Sequence, residues 1–122
     1  MQLFEVVERL KGTVLTNSFD GKMEVFSGGA ADLMSDVLAF NIEGNSILLS
    51  GLTTPQVLRT AEMAGIKAIV FVRGKRPPQQ VIDLAEELSI PLIMTAESMY
   101  LSCGILHQAG LPDNGVSTIL SR

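Results

Sequence analysis

Tryptophan is missing from this 122-residue chain, and cysteine, histidine and tyrosine occur once each. One cysteine cannot close an internal disulfide. No apolar run approaches the ~18 residues that a membrane helix needs. The first residues lack the apolar core and small-residue cleavage site of a signal peptide. Basic residues are outnumbered, 9 Lys and Arg against 13 Asp and Glu, for a net charge of −4 and a pI near 4.8. An acidic surface repels phosphate backbones, so nucleic acid is not the expected partner. These absences together make the cytoplasm the expected compartment, without membrane attachment.

Apolar residues, by contrast, are plentiful: 47% of the chain, with a mean hydropathy of +0.35. A chain of this length is one domain by size. A domain so small hides only roughly two thirds of its unfolded surface. Apolar area is left over, and a self-complementary homodimer interface is one way to cover it.

Residues 65–95 organise the rest. Ala68-Ile69-Val70-Phe71-Val72 is an unbroken apolar run rich in β-branched residues, which suits a strand buried on both faces of a parallel sheet. Arg73-Gly74-Lys75-Arg76 breaks it, and Pro77-Pro78 fits a helix start, where φ is pre-set and a missing N–H costs little. Val81, Leu84, Ala85 and Leu88 then form a stripe on one helix face. Ile90 to Thr95 is the next strand, with Pro91 tolerable only at its beginning. The unit is βαβ.

Elsewhere the pattern predicts a helix over residues 2–10, a strand over 13–16, turn chemistry over 17–21 and a strand over 23–26. Ser27-Gly28-Gly29 is expected to end that strand, with a helix over residues 30–40 whose Leu33, Val37 and Leu38 face inward. A strand over 47–50 ends at Gly51. Thr53 is placed to cap a helix started by Pro55 and closed by Gly65. A last helix covers residues 97–109, stopped by Gly110 and Pro112. Residues 1–112 read as the domain, and residues 113–122 as a tail or short added strand. Alternating helices and strands imply an α/β fold: a single domain with a mostly parallel sheet flanked by helices.

Ligands of such sheets sit beyond the carboxyl ends of the strands. The residues expected there are Ser27, Gly28 and Gly29, then Thr53 and Thr54, then Arg73 and Gly74, and Thr95. This is a rim of glycines and hydroxyls with one guanidinium able to grip a phosphate or carboxylate. Ser27-Gly28-Gly29 reads either as an anion-binding turn or as a plain tight turn. Neither G-x-G-x-x-G nor G-x-x-x-x-G-K-[ST] occurs, which argues against an NTPase. Asp32 with Asp36, and Glu86 with Glu87, lack a His or further acid at ligand spacing, so solvated faces explain them and no metal is expected. Tyr100, Cys103 and His107 share one side of the last helix without forming a triad, and packing or an interface is the better reading. Cys103, among Leu101, Ile105 and Leu106, reads as an inert buried thiol.

Two segments carry a family resemblance, VRGKRPPQQVIDLAEELSIPLIMTAESMYLSCGILHQAG and, before it, SGGAADLMSDVLAFNIEGNSILLSGLTTPQVLRTAEMAGIKAIV. They resemble the DRTGG domain, related to the amino-terminal domain of HPr kinase/phosphorylase and to the first domain of the MurE and MurF ligases. The strongest matches are Ser35-Asp36 with Glu43-Gly44, Arg73-Gly74 with Pro77-Pro78, and the stretch from Ile90 to Thr95. Where the family has Asp-Arg-Thr this chain has Leu52-Thr53-Thr54, and where it has Thr-Gly-Gly this chain has Val72-Arg73-Gly74. The resemblance implies a MurF/HPr-kinase N-domain-like fold without the kinase's separate P-loop domain. DRTGG domains stand beside CBS domains in regulated pyrophosphatases, where they bind adenine nucleotides or form dimer interfaces. Some stand-alone relatives are encoded beside iron-only hydrogenases.

Two functions follow as expectations. One is a non-catalytic regulatory module for a small phosphorylated ligand, such as an adenine nucleotide, needing no cofactor of its own. The other is a scaffold that binds a protein partner or a second copy of itself, with a link to hydrogenase or redox metabolism.

Overall fold

A computed structural model describes residues 1–114. In chain order the elements are α1 (Leu3–Leu10), β1 (Thr13–Val14), β2 (Ser27–Ala30), α2 (Met34–Leu38), β3 (Ser46–Ser50), α3 (Pro55–Ala64), β4 (Ala68–Phe71), α4 (Gln79–Leu88), β5 (Leu92–Met94) and α5 (Met99–Gln108). The five strands lie in the order β1-β5-β4-β3-β2. β2 through β5 are parallel, and β1 joins β5 antiparallel, with Thr13 opposite Met94. The α/β fold expected from the alternation is therefore present, with a mostly parallel sheet.

The strand order explains how the helices are shared between the two faces. From β2 to β5 every crossover steps one strand in the same direction. Crossovers of one hand then put all the connecting helices on one face. Residues of α2, α3 and α4 accordingly share one core with Leu48, Ile69, Phe71 and Leu92 of the sheet. The opposite face holds Ile47, Leu49, Val70 and Ile93, and among the described residues the outlying helices α1 and α5, with Val25 and Leu111 from the loops, cover it. Successive strand side chains alternate between these two cores. Both are apolar, which is why the run at residues 68–72 shows no polar alternation.

Some boundaries differ from expectation. Residues 23–26 form no strand beyond a single bridge of Gln2 to Glu24, and the strand begins at Ser27. The following helix is short, so its phase shifts. Met34 and Val37 are buried, while Leu33 and Leu38 are 62% and 53% exposed. The hydrophobic pattern had placed both leucines inside. α3 begins and ends as expected, but its N-cap is Thr54, which makes no side-chain capping bond. Asp113 bridges Gly28 in parallel, and the Asn114 amide donates to the Gly28 carbonyl at 3.0 Å. Residues 115–122 of the expected tail lie outside the described residues.

Candidate functional site at the carboxyl edge of the sheet

A crevice forms where neighbouring strands send their chains to opposite faces. Here that point lies between β4 and β5. The chain leaves β4 for α4 on one face and leaves β5 for α5 on the other. Arg73-Gly74 and Thr95 flank it.

Arg73 and Gly74 have φ of 62° and 67°, and the Lys75 amide donates back to the Val72 carbonyl at 3.3 Å. Two successive positive φ values with that bond make a mirror-image tight turn. Gly74 adopts such a φ freely; for Arg73 it costs roughly 1 kcal/mol. Two bonds hold the turn in place. The Arg73 amide donates to the Glu97 carbonyl and the Gly74 amide to the Thr95 carbonyl, both at 2.8 Å. Those amides are thus committed to the protein and do not face a ligand. What the turn presents is the guanidinium, directed across the end of β3. A Cβ built on Gly51 would lie 2.8 Å from Arg73 Nη2 and 3.5 Å from both carboxylate oxygens of Asp32.

Asp32 follows β2 and ties the edge together. Its Oδ1 accepts from the Gly51 amide at 2.7 Å and from Ser50 Oγ at 3.1 Å. Oδ2 receives no bond from the described residues. Among those residues the only ion pair is the terminal amino group with Glu24, at 3.2 Å, so Arg73 and Asp32 lie close without forming one. Thr53 is half-buried and Thr54 exposed on the adjoining loop into α3. Lys75 and Arg76 are exposed beyond Arg73 and add positive potential.

Of the expected rim, Thr53, Thr54, Arg73 and Gly74 stand at this edge. Thr95 is there through its backbone; its hydroxyl is buried and donates to the Leu10 carbonyl at 2.7 Å. Ser27, Gly28 and Gly29 do not join them. They lie within β2, not in a turn beyond it. Ser27 is opposite Ser46 at the amino end of the sheet and donates to Ser46 Oγ at 3.1 Å. Gly28 and Gly29 instead line a cleft of about 290 Å³ between the β2 edge and α5, together with Cys103, His107 and Asp113. A strand boundary displaced by four residues moved the glycines off the rim and into the middle of the edge strand, opposite Ile47 and Leu48.

Asp32 is the residue at this edge that sequence reasoning missed. It had been paired with Asp36 across a helix that in fact starts only at Met34. Only the true end of β2 would have marked it as a carboxylate closing a parallel strand. Glu86 is likewise engaged: its carboxylate accepts from the Asn17 and Ser18 amides at 2.8 and 3.1 Å and anchors that loop. Among the described residues no three His, Cys, Asp or Glu side chains are grouped closely enough to hold a metal ion, and no helix is long and apolar enough to cross a membrane.

No family model and no curated protein matches the chain. A solved structure does. The fold is similar to that of the CBS and DRTGG domains of the regulatory region of Clostridium perfringens pyrophosphatase, complexed with its activator diadenosine tetraphosphate. The TM-score is 0.68 at 18% identity, over 93% of this chain and 48% of that one. The chain thus spans about half the length of that neighbour. At this identity the likeness is one of fold, and it gives the sequence resemblance to DRTGG domains a structural counterpart.

Proposed function

We propose that this chain is a non-catalytic regulatory module that binds a small phosphorylated ligand, first among them an adenine nucleotide, at the carboxyl edge of its sheet. The observation that carries the reading is the Arg73 turn. A non-glycine residue held at φ 62° by two bonds to the neighbouring loop is backbone strain maintained by its surroundings. Such strain collects at binding sites, where it fixes one side chain in place. Arg73 supplies a planar donor for phosphate. The amino end of α3, behind Thr53 and Thr54, adds favourable dipole potential. Asp32 Oδ2 is an acceptor suited to a ribose hydroxyl, as acidic residues near strand ends are in dinucleotide folds. The structural neighbour is a regulatory region bound to an adenine nucleotide, which agrees with this assignment.

Nothing comparable favours catalysis. Cys103 is held above its ordinary pKa chiefly by burial, and so is a poor nucleophile. His107 is exposed on α5, on the sheet face away from α3 and α4.

Titration calorimetry with AMP, ADP, ATP, diadenosine tetraphosphate and inorganic phosphate tests the reading. Saturable heat from at least one nucleotide is expected, weakened at least tenfold by Arg73→Ala and weakened also by added salt. No heat from any of the panel, or heat indifferent to Arg73→Ala, refutes it.

A further inference from the structure

The cleft of about 290 Å³ between the β2 edge and α5 carries a second inference, independent of the carboxyl edge. It opens where an edge strand lacks a side chain. Gly28 is opposite Ile47, and a Cβ built on it would project to the Ile47 face of the sheet, 3.1 Å from Leu111 Cδ2 and 3.4 Å from Ile47 Cγ1. On that face Leu49, Leu106 and Leu111 give the cleft apolar walls. Its size is at the lower end of small-molecule sites.

Asp113 is built into the rim of this cleft. It bridges Gly28 in parallel, and directly opposed strand residues send their side chains to the same face. Its carboxylate therefore stands beside the space that Gly28 leaves. The backbone around it is tied down. The Gly28 amide donates to the Pro112 carbonyl at 2.9 Å and the Asn114 amide to the Gly28 carbonyl at 3.0 Å, while Asn114 Nδ2 donates to Ser46 Oγ at 2.8 Å. No Lys or Arg lines the cleft, and the stretch from Met99 to Pro112 contains no Asp, Glu, Lys or Arg. Among the described residues Asp113 takes part in no ion pair. Its field reaches into the cleft: after burial, it is the second influence holding the Cys103 thiol above its ordinary pKa. A fixed carboxylate beside apolar walls repels an anion and attracts a cation, the more so where water is displaced. This cleft is thus opposite in charge preference to the Arg73 edge.

We propose that the cleft binds a small amphipathic amine, with an apolar body about the size of one aromatic ring against Leu49 and Leu106 and its ammonium on Asp113. The test follows amide shifts of the isotope-labelled whole chain, at neutral pH, during titration with phenethylamine and with its uncharged counterpart, phenethyl alcohol. The amine should give saturable shifts at Gly28, Gly29, Leu106 and His107, with a dissociation constant of roughly 1–5 mM, as suits so small a ligand. The alcohol should bind roughly 3–5-fold more weakly. Asp113→Asn should bring the amine down to the level of the alcohol and leave the alcohol unchanged. Gly28→Ala, which puts a methyl group into the cleft, should weaken both ligands while the spectrum stays well dispersed. Arg73→Ala should alter neither, which separates this site from the carboxyl edge. No saturable shift at the cleft amides, equal binding of amine and alcohol, or amine binding indifferent to Asp113→Asn or to Gly28→Ala would each overturn the proposal.

Discussion

The Arg73 guanidinium fills the space that a side chain on Gly51 would need, with Nη2 2.8 Å from the position of a Cβ there. Two connections far apart in sequence thereby lie side by side, the turn after β4 and the turn after β3. The neighbouring atoms belong to Asp32, which holds the Gly51 amide from the end of β2. Three successive parallel strands thus meet at one glycine.

Arg73 separates binding from stability. Arg73→Gly relieves the left-handed strain but adds freedom to the unfolded chain, and the two terms are similar, each about 1 kcal/mol. Urea unfolding should therefore give a stability within about 0.5 kcal/mol of the parent. Arg73→Ala keeps the strain and should be no more stable than Arg73→Gly. Both should lose nucleotide heat equally, because both lack the guanidinium.

Removing the Asp32 carboxylate should cost stability as well as ligand. Asp32→Ala leaves the Gly51 amide and Ser50 Oγ without their acceptor. The site is only partly buried, so water replaces some of the loss and about 1–2 kcal/mol is expected. Asp32→Asn keeps an acceptor oxygen and should recover most of that in thermal melts.

Gly29→Ala should be the more damaging of the two β2 glycine substitutions. Its Cβ would stand 2.6 Å from Asn114 Oδ1 and 2.7 Å from the Phe40 ring, whereas at Gly28 the nearest atom is 3.1 Å away, at the end of Leu111. Overpacking of this kind costs about 1–3 kcal/mol. Denaturant midpoints of the two variants, compared side by side, check the order.

Cys103 gives a pH signature. Burial first, and the Asp113 carboxylate second, raise its thiol above the ordinary 9.0. The folded chain therefore keeps this proton to higher pH than the unfolded chain does. The associated stability is complete below the ordinary value and is lost as pH rises through the folded one. Above pH 9.0, stability should fall more steeply in the parent than in Cys103→Ser. Alkylation of the native thiol at neutral pH should be slow, and urea should accelerate it.

What the sequence determined was whatever depends on near neighbours. Pro55 and Gly65 bracket α3 because φ preferences act at single residues. The run at residues 68–72 announced a strand with two buried faces, and the stripe around Val81 and Ala85 announced the helix that follows it. A single α/β domain and the place of Arg73 after a buried strand followed from these. Weak local signals went astray at Ser27-Gly28-Gly29. Two glycines read as a break by propensity, yet they pair in register with Ile47 and Leu48, because Leu111 and Asn114 pack where side chains would be. Only the tertiary structure decided the strand order, and with it the helices that share each face. It also decided that the amides of Arg73 and Gly74 are spent on residues 95–97, and that Asp32 closes on Gly51. Those outcomes depend on contacts between residues about 20 or more positions apart, to which local periodicity is blind.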